Sequence, residues 1–94
     1  MATMIVKHRV ADFANWKKVF DEMEGVRREH GWTGYEIYRD ATDPNVVTIV
    51  NHMRDLAGAK QYGGSPALRE AMGRAGVQGP PEIAFLAEAE TRSY

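Results

Sequence analysis

His8 is the side chain in this sequence that is best suited to acid–base chemistry. It shares one face of a predicted strand with the apolar residues Met4, Val6 and Val10. A neutral imidazole in such surroundings can take a proton from a phenol or an enolisable ketone near neutral pH and return it. A histidine on an apolar face is also commonly a core residue that hydrogen-bonds to the backbone or to a carboxylate. Both roles are open for His8.

Tyr62 and Arg54 are the candidates for polarising a ligand carbonyl. Tyr62 comes just before Gly63 and Gly64, which interrupt a predicted helix, so its hydroxyl lies on a segment that can move. Arg54 follows the third predicted strand and carries a permanent positive charge. The favoured catalytic scheme therefore has His8 as proton shuttle and Tyr62 or Arg54 as the group that polarises the carbonyl.

His52 lies at the end of the third predicted strand, beside Asn51 and Arg54. Strands one and three are predicted to be antiparallel neighbours, which places His8 and His52 about 13 Å apart at ~3.3 Å per residue. This separation argues against a shared catalytic dyad or a shared metal site. We expect His52 either to line the mouth of a pocket or a dimer seam, or to have a structural role.

Three aromatic side chains are candidates for contact with a ligand: Trp16, Phe20 and Tyr35. Trp16 and Phe20 belong to an apolar stripe with helical spacing, which is more typical of a protein core than of a ligand platform. Tyr35 and Tyr38 fall on opposite faces of the second predicted strand, so at most one of them faces the helices. The core and ligand-binding interpretations both remain open for these rings.

The sequence contains no pattern that indicates a metal or a bound cofactor. It has no cysteine, no zinc-type histidine motif and no carboxylate cluster. Residues 63–67 nearly match a nucleophile elbow but lack its last glycine, and Ser65 is better explained as a helix cap. We therefore expect chemistry that needs neither a cofactor nor a metal.

The charge and hydropathy patterns exclude two classes of partner. A balance of 12 Lys and Arg against 13 Asp and Glu leaves a net charge of −1, without the basic face that nucleic-acid binding requires. No apolar run approaches the ~18–20 residues of a membrane span, and no secretory signal pattern is present at the N-terminus. We expect a cytoplasmic protein that binds neither nucleic acid nor membrane.

The 94 residues are enough for a single small domain, 1–94, with elements in the order β-α-β-β-α-β. The predicted elements are, by residue number, strand 4–10, a helix between the cap at 12 and the stop at 31, strands 34–39 and 46–53, a helix capped at 55 that breaks at 63–64 and resumes at 65, and strand 83–90. Residues 77–81 are predicted to be a loop, because adjacent prolines lack amide donors.

This element order closes as a ferredoxin-like fold of the α+β class, an antiparallel sheet with its helices on one face. The central strands carry apolar residues on both faces, for example Val47 and Ile49 on one and Val46 and Val50 on the other. No element of the chain is left to cover the helix-free face. We expect a second copy to cover it, sheet against sheet, in a homodimer.

Several motifs spread over nearly the whole chain form a recognisable pattern. They are His8-x-Val10-Ala11-Asp12-Phe13-x-x-Trp16-x-x-x-Phe20-Asp21, Asp43-Pro44-Asn45, Asp55-Leu56, Ser65-Pro66-x-Leu68-Arg69-Glu70-x-Met72-x-x-Ala75-Gly76-Val77 and Glu82-x-x-Phe85-Leu86. The pattern resembles small bacterial proteins of the dimeric α+β barrel superfamily, of the antibiotic biosynthesis monooxygenase-like or cyclase-like kind. The resemblance implies a homodimeric barrel and, in each protomer, a ligand pocket between sheet and helices.

The resemblance implies a range of activities, since the superfamily includes cofactor-free monooxygenases on polycyclic phenols, polyketide cyclases, heme-degrading enzymes and muconolactone isomerase. Quinone-forming members use an Asn, a Trp and a Tyr in the pocket, and heme-degrading members use an Asn, a Trp and a His. Neither group maps onto matching positions here. The first strand offers Lys7, His8 and Arg9 where an Asn is expected, and Trp16 and Trp32 lie outside the second helical region. This departure weighs against the oxidative activities, and most against heme degradation.

Together these patterns favour a cofactor-independent enzyme that acts on a small aromatic or polyketide-like molecule by acid–base chemistry, of the cyclase or monooxygenase type. The alternative is a non-catalytic protein of the same fold that binds a small molecule or acts as an accessory protein. In both cases the expected ligand is a small hydrophobic or aromatic molecule.

Overall fold

The computed structural model describes residues 2–94. Its elements in chain order are β1 (Ala2–Val10), α1 (Phe13–Glu22), α2 (Glu24–Glu29), β2 (Trp32–Arg39), β3 (Val46–Met53), α3 (Leu56–Gly63), α4 (Pro66–Arg74) and β4 (Val77–Ala87). None of these helices is long and apolar enough to cross a membrane. The predicted alternation of strands and helical segments is confirmed, with each helical segment divided into two short helices.

The strands form one antiparallel sheet in the order β2-β3-β1-β4. β1 is central and pairs with β3 on one side and with β4 on the other. This arrangement is the ferredoxin-like α+β fold that the element order predicts.

A single apolar core fills the space between one face of the sheet and the helices. Its buried members are Met4, Val6, Val10, Trp16, Val19, Met23, Val47, Ile49, Met53, Ala59, Tyr62, Ala71 and Ala75. Burial alternates residue by residue along β1 and β3, as expected for strands with one packed face. The side chains that face the helices are therefore set by the period of two in the sequence.

The opposite face of the sheet has no cover within residues 2–94. On this face Ile5 pairs across the strands with Val50 and with Ala84. Leu86 and Tyr38 lie on the same side and are 44% and 56% exposed. A partly apolar sheet face is thus open to solvent in the single chain, as the sequence predicts.

The first helical segment is not the continuous helix that the sequence predicts between residues 12 and 31. Asp12 caps α1 as expected, since its carboxylate accepts from the Ala14 amide at 3.1 Å. At Met23 the backbone adopts φ −87° and ψ 5°, and the Met23 amide donates to the Phe20 carbonyl, only three residues back. The chain changes direction there, and α2 packs beside β2.

β4 runs from Val77 to Ala87, whereas the sequence predicts a loop over 77–81 and a strand over 83–90. The reason for the difference is the position of β4 at the edge of the sheet. An edge strand tolerates prolines, because amides on its outer side have no ladder partner to lose. Pro80 and Pro81 therefore interrupt the pairing locally without ending the strand.

A bulge in β4 lies opposite His8. The pairing of β1 with β4 shifts between Lys7 and Arg9, which leaves residues 79–81 of β4 opposite the single residue His8. Gly79 has φ +75°, a backbone conformation that a glycine adopts without strain. Bulges of this kind redirect side chains and are common next to active sites.

Gly58 and Gly73 form a matched pair for testing how closely α3 packs against the end of α2. A Cβ at Gly58 would lie 2.7 Å from the His30 carbonyl oxygen, whereas a Cβ at Gly73 would meet nothing within 4 Å. We expect Gly58→Ala to lower the free energy of unfolding by about 1–3 kcal/mol through this clash. Gly73→Ala should raise it by about 0.5 kcal/mol, because alanine favours a helix. Urea denaturation measures both effects, and equal values would contradict the close contact at Gly58.

Candidate functional site

A cavity lies between the sheet and the helices. It has about 480 Å³ of space not filled by atoms, including its opening to solvent, and the centres of water-sized molecules can occupy about 50 Å³ of it. That is room for a few water molecules. The lining is mostly apolar, and its polar side chains are His8, Arg27, Asn51 and Tyr62. An apolar cavity with a few polar groups is typical of a small-molecule site.

His8 enters the cavity from β1 and is only 6% exposed. Neither ring nitrogen has a hydrogen-bond partner within residues 2–94. The Trp16 indole packs against the imidazole edge-on, with 5.8 Å between the ring centroids. The hydrogen-bonded core arrangement considered for this histidine is therefore absent from the described part of the chain. A ligand that bonds to the imidazole would remove the cost of about 1–3 kcal/mol that an unpaired buried polar group carries.

Burial lowers the pKa of His8 from its ordinary value of 6.5 to about 4. The cause is desolvation, because the charged imidazolium would lose its hydration shell. At pH 7 the ring is therefore neutral, and it has one nitrogen that accepts and one that donates a hydrogen bond. Such a ring can accept a proton from a ligand, and a negative charge formed on that ligand would stabilise the protonated imidazole.

Tyr62 reaches the cavity from α3 and is 4% exposed. Its ring packs against Trp32 and His30, with 4.3 Å and 5.4 Å between the respective ring centroids. Burial raises the pKa of the Tyr62 phenol, and the positive charge of Arg27 opposes part of this shift. The phenol is therefore protonated at neutral pH and can donate a hydrogen bond to a ligand oxygen.

Asn51 and Trp32 form a buried polar pair that was not among the predicted site residues. The Trp32 Nε1 donates to Asn51 Oδ1 at 2.9 Å, and Asn51 Nδ2 donates to the Met4 carbonyl at 3.0 Å. Asn51 lines the cavity, and Trp32 packs on Tyr62. The alternation of β3 could have indicated Asn51, because it places this polar residue on the same buried face as Ile49.

Arg27 is the other cavity residue that sequence reasoning missed. It is 3% exposed, although an arginine is rarely buried without a carboxylate partner. Its guanidinium carbon lies 3.8 Å from the centroid of the Phe20 ring and 5.4 Å from that of Tyr35, and Nη1 donates to the Phe20 carbonyl. Burial lowers the pKa of Arg27 from its ordinary value. Helical spacing indicated only that the apolar stem of Arg27 faces inward, because spacing does not reveal whether the charged end follows it.

Trp16 and Phe20 form an aromatic wall of the cavity. Their rings are stacked, with 5.1 Å between centroids and 22° between planes, and Phe13 extends the stack beyond Trp16. Tyr35 packs edge-on against Phe20 at 4.9 Å but does not line the cavity. It lines a neighbouring surface groove together with Arg27.

His52 and Arg54 lie outside the cavity. His52 is on the opposite face of the sheet, where its Nε2 lies 2.7 Å from a carboxylate oxygen of Glu36. Arg54 is exposed, and its side chain covers Gly31. Neither side chain is therefore in position to act on a ligand held in the cavity.

His8 and Tyr62, by contrast, line the same cavity near different ends of it. Gly63, next to Tyr62, lies close to Met4 at the start of β1. His8 is about 13 Å further along β1 at ~3.3 Å per residue. A ligand that contacts both side chains must therefore extend along β1. Within residues 2–94, no group of three or more His, Asp or Glu side chains could hold a metal ion.

No family model matches the chain, and no curated protein does so either. Several solved structures share its fold. A proposed antibiotic biosynthesis monooxygenase from Bordetella bronchiseptica has a TM-score of 0.78 and 14% identity, over 95% of this chain and 97% of that one. SnoaB, a cofactor-independent oxygenase from Streptomyces nogalater, has a TM-score of 0.77 and 13% identity, over 96% and 94%. A proposed antibiotic biosynthesis monooxygenase from Caulobacter crescentus has a TM-score of 0.73 and 21% identity, over 95% and 90%.

At these identities the likeness establishes the fold. It extends over nearly the whole chain, and the similar structures are of the antibiotic biosynthesis monooxygenase-like kind that the sequence motifs resemble. The predicted α+β architecture is thereby confirmed.

The lowered pKa of His8 predicts a pH-dependent stability. In the unfolded chain His8 has its ordinary pKa of 6.5, so the unfolded state binds more protons than the folded state between pH 6.5 and about 4. The contribution of His8 to the free energy of unfolding is fully present above pH 6.5 and falls as the pH is lowered, by about 3 kcal/mol in total. Urea denaturation at about pH 7.5 and about pH 4.5 should show His8→Phe losing about 2–3 kcal/mol less than the wild type on acidification.

Val19→Ala is the control for this measurement, because Val19 is a buried cavity residue without a titrating group. It should lower the stability at both pH values through the cavity it creates, while the wild-type pH dependence persists. The same pH dependence in His8→Phe and in the wild type would show that His8 is not held neutral by burial.

Proposed function

We propose that this protein is a cofactor-independent enzyme that acts on a small aromatic or polyketide-like molecule by acid–base chemistry. The observation that carries the proposal is the imidazole of His8, which lies in an apolar cavity and has no hydrogen-bond partner among residues 2–94. Buried polar groups are nearly always paired, so an exception calls for a functional explanation. The lowered pKa leaves the ring neutral at pH 7 but makes it a weaker base, so proton transfer to His8 depends on the negative charge that forms beside it on the ligand.

In the proposed reaction, a hydroxyl or an acidic carbon of the ligand lies against His8, which accepts its proton. The Tyr62 hydroxyl donates a hydrogen bond to a carbonyl oxygen at the other end of the same conjugated ligand. The negative charge formed by deprotonation is delocalised onto this oxygen, where the hydrogen bond stabilises it. The Trp16–Phe20 wall stacks on the flat ring. Exclusion of water from the cavity strengthens each of these polar interactions.

The deprotonated ligand can react in two ways, and both balance without a cofactor. In a cyclase, its carbanion forms a bond to a carbonyl carbon of the same molecule, and the proton held by His8 passes to the new alkoxide. In a monooxygenase, the electron-rich anion reduces O2. One oxygen atom then becomes a carbonyl oxygen of the quinone, and the other leaves as water with two hydrogens from the substrate.

The residues around Tyr62 support the monooxygenase type. Asn51, Trp32 and Tyr62 are in mutual contact through the Trp32 indole. They are the residue types that the sequence resemblance implies for quinone-forming members of the superfamily. The sequence did not predict this group, because Asn51 lies on β3 and Trp32 at the start of β2, which are not the positions that the resemblance implies. SnoaB, which shares the fold, is a cofactor-independent oxygenase.

The alternative function is non-catalytic binding of a small molecule in the same cavity. The limited free space favours it, since the centres of water-sized molecules can occupy only about 50 Å³. A ring system fits only if lining side chains such as Met23 and Met72 move, which their flexible thioethers allow. A protein of this kind would bind its ligand and release it unchanged.

His8→Ala tests the proposed catalysis. With the hydroxylated anthrone dithranol as the probe, the wild type should consume oxygen and produce the anthraquinone. His8→Ala should be slower by about 10²–10⁴-fold, the usual contribution of a general base. Imidazole added to the solution should restore part of the rate of His8→Ala, because it replaces the missing base, and should not accelerate Tyr62→Phe. An oxygen electrode and the quinone absorbance measure these rates.

Unchanged turnover in His8→Ala would refute the role of His8 as proton acceptor. Binding of dithranol without oxygen consumption would contradict the monooxygenase type and favour the non-catalytic alternative. Native mass spectrometry of a co-purified small molecule would identify the ligand class under either function.

We also propose that the protein is a homodimer in which the two sheets pack against each other. The uncovered sheet face carries apolar side chains on three neighbouring strands, among them Ile5, Val50 and Leu86. The sequence resemblance implies the same assembly. A second copy would remove this surface from water and supply the half of the core that one helical layer leaves missing.

Leu86 and Leu56 offer a matched test of this assembly, since they are 44% and 40% exposed but only Leu86 lies on the open sheet face. By light scattering at micromolar concentration, the wild type and Leu56→Lys should have the mass of a dimer. Leu86→Lys should have the mass of a monomer, because it places a charge in the apolar interface. A monomeric wild type would refute the assembly.

A further inference from the structure

Arg27 is a buried cation that lines both the cavity and the neighbouring surface groove. We propose that Arg27 binds a carboxylate of the ligand, so that the molecules this cavity selects are aromatic acids. This inference rests on the proposed function, because it concerns the same cavity, and it adds the chemical class of the ligand.

No carboxylate forms an ion pair with Arg27 in the described part of the chain, although the charges of Glu24 and Asp21 act on it from further away. No Asp or Glu oxygen among residues 2–94 lies within 4.0 Å of its guanidinium nitrogens. Glu24, which lines the groove, forms an ion pair with Arg28 at 3.7 Å, and Asp21 forms one with Lys17. A buried charge without a partner is unfavourable, so an anion from outside the chain would be stabilised at Arg27.

The guanidinium is held in place in a way that keeps donors for such an anion. Phe20 packs on one side at 3.8 Å, Tyr35 lies at 5.4 Å, and Nη1 donates to the Phe20 carbonyl. Phe20 thus covers one face of the group, its carbonyl takes one of the five N–H donors, and the Tyr62 hydroxyl is a further hydrogen-bond neighbour. A carboxylate is the planar partner that fits the remaining fork best, since it can accept two parallel hydrogen bonds.

An anion can reach Arg27 through the surface groove. Its lining includes Arg27, Arg28, Trp32 and Tyr35, and the centres of water-sized molecules can occupy about 130 Å³ of it. Two of these residues are cations and two are aromatic, and Glu24, which also lines the groove, is paired with Arg28. The groove therefore suits the approach of a ligand that combines a negative charge with a flat ring.

The aromatic wall connects Arg27 with His8. The centroid separations are 5.1 Å from Phe20 to Trp16 and 5.8 Å from Trp16 to His8, and Arg27 lies over Phe20. A flat ligand along this wall would present its carboxylate to Arg27 at one end and its reactive hydroxyl to His8 at the other. Arg27 would then set the direction in which the ligand lies and select against neutral analogues.

Naphthoate and its uncharged amide, naphthamide, are matched probes for this site. Because Trp16 lies in the cavity wall, quenching of tryptophan fluorescence reports binding. The wild type should bind naphthoate at least ~10-fold more tightly than naphthamide, because charge-assisted bidentate hydrogen bonds are stronger than neutral ones. Arg27→Met keeps the apolar stem, removes the charge and should bind the two probes equally. Arg69→Met, which removes an exposed charge outside both the cavity and the groove, should keep the wild-type preference.

Arg27→Lys provides a second variant that keeps the charge but loses the fork, and it should retain only part of the preference for naphthoate. Equal binding of both probes to the wild type would overturn the inference, as would a preference that survives in Arg27→Met or disappears in Arg69→Met. Absence of binding by either probe would overturn it as well, and would also remove the support for a ligand cavity. The probes have no hydroxyl, so this result is independent of turnover, which dithranol and His8→Ala test separately.

Discussion

The antiparallel pairing of β1 with β3 and β4 is the interaction on which the rest of the structure depends. Because side chains alternate between the two faces of a strand, a slip by one residue would move Met4, Val6 and Val10 out of the core. Burial of these apolar residues therefore holds the register. His8 lies on the same face, so burial of the apolar residues also places its imidazole in the cavity. The position of His8 is a consequence of the packing of its neighbours.

The polar groups that line the cavity differ in how far their burial is compensated by hydrogen bonds or ion pairs. Asn51 is buried with its amide bonded to Trp32 and to the Met4 carbonyl, so its burial is compensated. Among residues 2–94, His8 has no hydrogen-bond partner for either ring nitrogen, and Arg27 has no carboxylate within ion-pair distance. The first arrangement stabilises the fold by itself, whereas under the proposed function a bound molecule would complete the other two. This difference separates the polar group that the fold itself compensates from those that a ligand would compensate.

Much of the fold follows from patterns that are local in the chain. Alternation predicts the strands at 4–10 and 46–53, and Asp12 caps α1 because capping involves only the next few residues. The break at Met23 and the strand pairing over 77–81 were not predicted. Both depend on distant contacts, since α2 turns to pack beside β2 and β4 tolerates its prolines only because it is an edge strand.

The sequence by itself determined which residues share a face, because the periods of strands and helices are set by backbone geometry. It therefore placed His8 and Trp16 towards a common interior, and it separated His52 from them. Only the tertiary structure decided which inward polar groups find partners. Trp32 and Asn51 meet across 19 residues of chain, and Arg27 is left with a buried charge. Such pairing depends on contacts between distant segments of the chain, and the local periodicity of strands and helices does not predict these contacts.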